Sequence, residues 1–105
     1  MPAARYEILL PLKYNEGEDI EAEKLLLTKQ ELVQAFGAVT VDPHPVEGVW
    51  KQEGATYQDL LLKFVVDVPN DTAESQAFFR ELKQTLKARF RQLEVWIVAY
   101  PIRLV

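Results

Sequence analysis

Residues Thr56–Val68, TYQDLLLKFVVDV, contain neither Gly nor Pro and end at the turn cluster Pro69-Asn70-Asp71. Read in alternation, Leu60, Leu62, Phe64, Val66 and Val68 share one side. Tyr57, Asp59, Leu61, Lys63, Val65 and Asp67 share the other. A strand alternates its side chains between two faces, so this pattern predicts one face fully covered and one covered in part. A strand of this length with a mixed back belongs inside a sheet.

Other segments supply the rest of the sheet. Arg5–Leu12 alternates Tyr6, Ile8, Leu10 and Leu12 against Arg5, Glu7 and Leu9, and Pro11 marks where regular pairing should stop. Val39–Val41 and Val49–Lys51 read as two pieces of one bent strand. Between them lies Asp42-Pro43-His44-Pro45, whose prolines have no N–H to donate, so the strand is expected at an edge or bulged. Gln52-Glu53-Gly54-Ala55 is the turn leading into the long strand. Glu94–Val105 closes the chain as a strand, with Trp96, Val98, Tyr100, Ile102 and Leu104 on one parity and Pro101 again arguing for an edge.

Two helices separate these strands. Thr28-Lys29-Gln30-Glu31 has capping-box spacing, flanked by Leu27 and Leu32 at staple positions. It predicts a helix start at Thr28, with Ile20–Leu27 adding a turn or two at most, an inward stripe of Leu32, Val33 and Phe36, and an end at Gly37. Asp71 and Glu74 predict the second helix start; Phe79, Leu82, Leu86, Phe90 and Leu93 follow at helical spacing, widened by Ala77 and Phe78. Lys13–Glu23, with Glu16, Glu18, Asp19, Glu21 and Glu23, reads as a flexible acidic connector. Its spacing is not that of a calcium loop.

The order β-α-β-β-α-β within 105 residues predicts one domain of the ferredoxin-like α+β class. That split-βαβ arrangement is a four-stranded antiparallel sheet in the order 4-1-3-2 with both helices on one face. The proline-interrupted strands then fall at the edges. The uncovered face exposes Leu9, Leu61, Val65, Trp96 and Tyr100, a semi-apolar surface that predicts self-association as a homodimer or larger oligomer.

Chemistry is sparse. The chain has no cysteine, one histidine and four glycines, so no thiolate zinc site, histidine-rich metal site or Gly-rich phosphate loop is expected. Ser75 has no nucleophile-elbow context. No metal or cofactor is predicted. Asp42, His44 and Glu47 could converge with Trp50, Tyr57 and Trp96 on a ligand pocket between helices and sheet, with His44 as a general base; the alternative is a proline-stiffened loop with His44 in solvent. Net charge is −4; residues 1–50 hold four Lys/Arg against nine Asp/Glu, which disfavours nucleic acid. The basic ridge Arg80, Lys83, Lys87 and Arg91 reads as a solvated helix face. No apolar run can span a bilayer and no secretory leader is recognised, so a cytoplasmic protein is expected.

The run Leu27-Thr28-x-x-Glu31-Leu32-x-x-Phe36-Gly37-x-x-Thr40-Val41, then Gly48-x-Trp50, then Phe90-x-Gln92-x-x-Val95, resembles a group of short bacterial proteins of cyanobacterial type and unknown function. The resemblance implies a ferredoxin-like fold and transfers no catalytic residue. The predicted function is a non-enzymatic interaction or regulatory module that oligomerises through its open sheet. The alternative is a small-molecule-binding protein or cofactor-free enzyme with a pocket near His44 and Trp50.

Overall fold

The computed structural model describes residues 2–105. Its elements are β1 (Ala3–Pro11), α1 (Ala22–Phe36), β2 (Thr40–Gln52), β3 (Ala55–Val68), α2 (Ala73–Arg89) and β4 (Trp96–Ile102). The sheet order is β2-β3-β1-β4 and every neighbouring pair is antiparallel. This is the ferredoxin-like α+β fold, with the first and third strands central; β2 and β4, interrupted by Pro43, Pro45 and Pro101, lie at the edges, and Pro11 closes the end of central β1.

The core lies between the sheet and the helices. Tyr6, Ile8 and Leu10 of β1 and Phe64, Val66 and Val68 of β3 meet Leu32 of α1 and Phe79, Leu82 and Leu86 of α2, with Phe90 and Val95 closing one end. Phe79 stacks on Tyr6 at 3.8 Å and on Phe36 at 5.0 Å between ring centroids. Each such ring contributes about 2–3 kcal/mol by leaving water. Phe64 and Phe79 share one cluster, which places the helices on a single face.

The hairpin turn forms as its residues require. Glu53 and Gly54 take φ of 52° and 79°, and Gln52 pairs with Ala55. Two consecutive positive φ values are those of a type I′ turn, whose twist matches the flanking strands. Along β2 the register slips between Asp42 and Val46, so that Pro43, His44 and Pro45 stand opposite Leu62 alone. The far half of this hairpin runs beyond the helices, leaving Val49 and Leu60 exposed.

Four local expectations are corrected. Helix α1 starts at Ala22, so Thr28 is no cap. It is fully buried mid-helix, its hydroxyl donating back to the Lys24 carbonyl at 2.9 Å and accepting from Arg89 at 2.9 Å. Val33 and Leu27 consequently face outward. Helix α2 is capped by Thr72, one residue later than expected, in a reciprocal box with Ser75. Asp71 instead accepts from the Ser75 hydroxyl at 2.6 Å and the Tyr6 hydroxyl at 2.7 Å. Helix α2 ends at Arg89, so Leu93 lies outside it and is exposed. Finally, Lys13–Glu23 is an ordered turn: Ile20 N–H donates to Leu12, Tyr14 N–H to Glu18 and Gly17 N–H to Tyr14, while Tyr14 and Ile20 are buried. Gly37 ends α1 as expected, at φ 86° with its N–H on the Val33 carbonyl.

Candidate functional site

The face turned away from the helices carries the open side chains of all four strands. The pairing register sets Trp96, Leu9 and Lys63 in one row, Val98, Glu7 and Val65 in the next, and Tyr100, Arg5 and Asp67 in a third. Four of its charges form two pairs within the face. Arg5 grips Asp67 through two bonds of 2.7 and 3.0 Å, and this holds the Asp67 carboxyl below its ordinary range. Lys63 lies 3.6 Å from Glu7, whose carboxylate also accepts from the Tyr100 hydroxyl and so raises the Tyr100 pKa. Between these pairs stand Leu9, Leu61, Val65, Val98, Trp96 and Tyr100, half-buried or exposed. Paired charges lose less on leaving water than lone ones, so such a surface can be covered at modest cost.

At the hairpin end, this face sinks into a groove of about 520 Å³. Leu9 and Pro11 of β1 and Leu61 of β3 line its floor, Trp50 of edge strand β2 and Trp96 of edge strand β4 flank it, and Gln92 and Glu94 contribute from the segment before β4. Gly48 lets the Leu61 side chain pack close against β2. A Cβ at that position would lie 2.9 Å from Leu61 Cδ1. Opposite Gly48 in the ladder is Asp59, also in the groove wall, whose Oδ2 accepts from the Trp50 indole N–H at 2.9 Å. Tyr57 stacks on Trp50 at 4.6 Å and buttresses that ring from the hairpin tip. Glu94 sits 3.1 Å from Lys83; that bond, with the Val95 N–H, holds its carboxyl below the usual range.

Of the residues singled out in the sequence, Trp50 and Trp96 line one groove with Tyr57 behind, while Asp42, His44 and Glu47 do not join them. The His44 side chain is 90% exposed, 3.2 Å from Asp42. Asp42 accepts from the His44 backbone N–H at 2.9 Å, which lowers its pKa. The cluster is an Asx turn on the bulged edge. Glu47 accepts from Gln58 on the exposed side of the hairpin. The groove also lies on the open face, not between helices and sheet, because large side chains fill that layer: Phe64, Phe90, Ile8, Leu10 and Leu32 are fully buried. Asp59, Gly48, Pro11, Gln92 and Glu94 were not anticipated. The one available signal was Gly48, a lone glycine inside a strand, which often marks a close approach.

The expected basic ridge is not one helix face: Arg80, Lys83 and Lys87 lie on α2, but Arg91 lies past its end with a positive φ. Lys83 meets Glu94, and the Arg91 guanidinium lies 3.8 Å over the Tyr14 ring. Among the described residues no group of three His, Cys, Asp or Glu is placed to hold a metal ion, and no helix is long and apolar enough to cross a membrane.

No family model matches the chain, and no curated protein matches its sequence. Solved structures do. A phage SAM lyase in complex with S-methyl-5′-thioadenosine superposes with a TM-score of 0.70 at 12% identity, over 98% of this chain and 91% of that one. The divalent cation tolerance protein CutA1 of Thermus thermophilus gives 0.64 at 20% identity, over 98% and 86%. CutA1 from Oryza sativa gives 0.65 at 14%, over 100% and 84%. At these identities the likeness is one of fold, the ferredoxin-like fold that the sequence resemblance implies.

Proposed function

We propose that the chain is a non-enzymatic interaction module that self-associates through the open face of its sheet. The observation that carries this reading is the pairing of Arg5 with Asp67 and of Lys63 with Glu7 around an apolar field of Leu9, Leu61, Val65, Val98, Trp96 and Tyr100. The occupant that suits this face is a second copy. Four of its charges cancel in two internal pairs, so that part of the face meets its own image without uncompensated like charges, and a two-fold contact presents the same patch on both sides. Mass measurement by light scattering across micromolar concentrations tests it. The reading predicts a dimer or larger species that shifts toward monomer in Val98→Glu; a monomer throughout that range removes it.

The groove supports a second reading, that the module also binds a small molecule. A volume of about 520 Å³ falls within the range of ligand sites, roughly 300–1,000 Å³. The phage lyase of similar fold was solved with a thionucleoside bound, so this fold accommodates a ligand of that size. The residues proposed for contact are Trp50, Trp96, Asp59 and Leu61, with Tyr57 as support. His44, exposed on the bulged edge, is left outside the site.

A further inference from the structure

The side chains of the groove restrict the chemistry of what could fill it. Trp50 and Trp96, the chain's two tryptophans, flank it from opposite edges of the sheet. Indole faces carry partial negative charge, and they attract cations and stack on flat rings. Two carboxylates line the groove: Glu94 is paired with Lys83, whereas Asp59 takes part in none of the ion pairs among the described residues. Its one side-chain bond is to the Trp50 indole. That bond holds ring and carboxylate together and leaves the negative charge uncompensated. Lys51 borders the groove on the other parity of β2 from Trp50 and makes no ion pair with Asp59. Gly48 lies directly across the ladder from Asp59, and both line the groove, so no β2 side chain stands over that carboxylate.

We propose that the groove between Trp50 and Trp96 binds a small organic cation that carries a flat aromatic ring. The ring lies against the indoles above the Leu9–Leu61 floor, and the positive centre meets Asp59 beside Gly48. This inference rests on the small-molecule reading and adds the charge and shape of the ligand. It uses side chains of one protomer and does not depend on self-association.

The experiment compares N-methylquinolinium with quinoline at pH 8, where quinoline is neutral, by isothermal titration at low salt. The two indole N–H resonances, one per tryptophan, report the place of binding. N-methylquinolinium should bind about tenfold more tightly than quinoline, with both resonances moving. Asp59→Asn keeps an oxygen for the Trp50 N–H while removing the charge, and should abolish that preference with quinoline binding unchanged. Trp96→Leu should weaken both probes. Equal binding of the two probes, or a preference that survives Asp59→Asn, overturns the cation inference and leaves the groove as a site. Binding of neither probe at millimolar concentration overturns the small-molecule reading as well.

Discussion

Arg89, at the end of α2, grips both carboxylate oxygens of Glu31 on α1 while a guanidinium N–H also reaches the Thr28 hydroxyl. With the Lys24 ammonium, which donates to the Arg89 carbonyl at 2.8 Å, this clamp fixes how α1 lies beside α2. Arg89 is 12% exposed. Removing it strands Thr28, buried with an unmet acceptor, and leaves Glu31 unpaired. Arg89→Met should therefore cost about 2–3 kcal/mol, read as a lower midpoint in urea denaturation. Thr28→Val, which deletes only the hydroxyl, should cost about 1 kcal/mol.

Acid should destabilise the fold through two identified carboxylates. Asp71 is held below its ordinary pKa by the Ser75 hydroxyl and then by Tyr6, and Asp67 by Arg5. A depressed folded pKa contributes stability that is present above the unfolded value of about 3.9 and is lost as pH falls through the folded value. The urea midpoint should fall between about pH 4 and pH 2, and Asp71→Asn should flatten that slope.

Alkali acts on Tyr6. Burial, and then the bond to Asp71, push its pKa up to about 12. A raised folded value contributes stability that is whole below the unfolded value of about 10 and is lost as pH rises through the folded one. Denaturation should therefore become easier above about pH 10, and Tyr6→Phe should remove this component. The check is a denaturation series from pH 9 to pH 12.

Core and hairpin arm should respond very differently to truncation. Phe79→Ala removes a ring stacked between Tyr6 and Phe36 and should cost about 3–5 kcal/mol. Val49→Ala, on the arm that no helix covers, should change stability by less than about 0.5 kcal/mol. Chemical denaturation of both variants in one buffer makes the comparison.

Gly48→Ala is a test of the groove floor. Its new methyl would press on Leu61 Cδ1, the end of a side chain that can rotate away, so the fold should persist with Tm within about 3 °C. The groove becomes shallower, and quinoline affinity should fall several-fold by titration.

The architecture was legible because backbone chemistry writes it into the chain. The alternation of Phe64–Val68 and of Tyr6–Leu10 named the buried face of each central strand, whereas Leu60, expected on that face, is exposed where the hairpin runs past the helices. Pro43, Pro45 and Pro101 named the edge strands, since a residue without an N–H is poorly tolerated in a central ladder. The helix starts were less legible. Thr28 and Glu31 have capping-box spacing, yet three residues apart is also one face of a helix. Arg89, distant in sequence, uses that face, and nothing local reveals it. At α2 the expected cap, Asp71, is held by the Tyr6 hydroxyl, a partner distant in sequence, and Thr72 with Ser75 takes the role. The groove was half legible. Parity put Leu9, Leu61 and Trp96 on the open face, and counting back from the Gln52–Ala55 turn pairs Gly48 with Asp59, but nothing local shows that the Trp50 indole bonds Asp59 or that Gln92 and Glu94 join the lining.

The bulge in β2 limits how large an assembly can grow. Pro43 and Pro45 interrupt the outer rim of β2, and Pro101 does the same for β4, so neither border offers an unbroken row of donors to a further strand. Copies joined face to face exhaust their contact surface once it is covered. The species in solution should therefore be closed particles of fixed stoichiometry, with ribbon-like fibrils disfavoured at both rims.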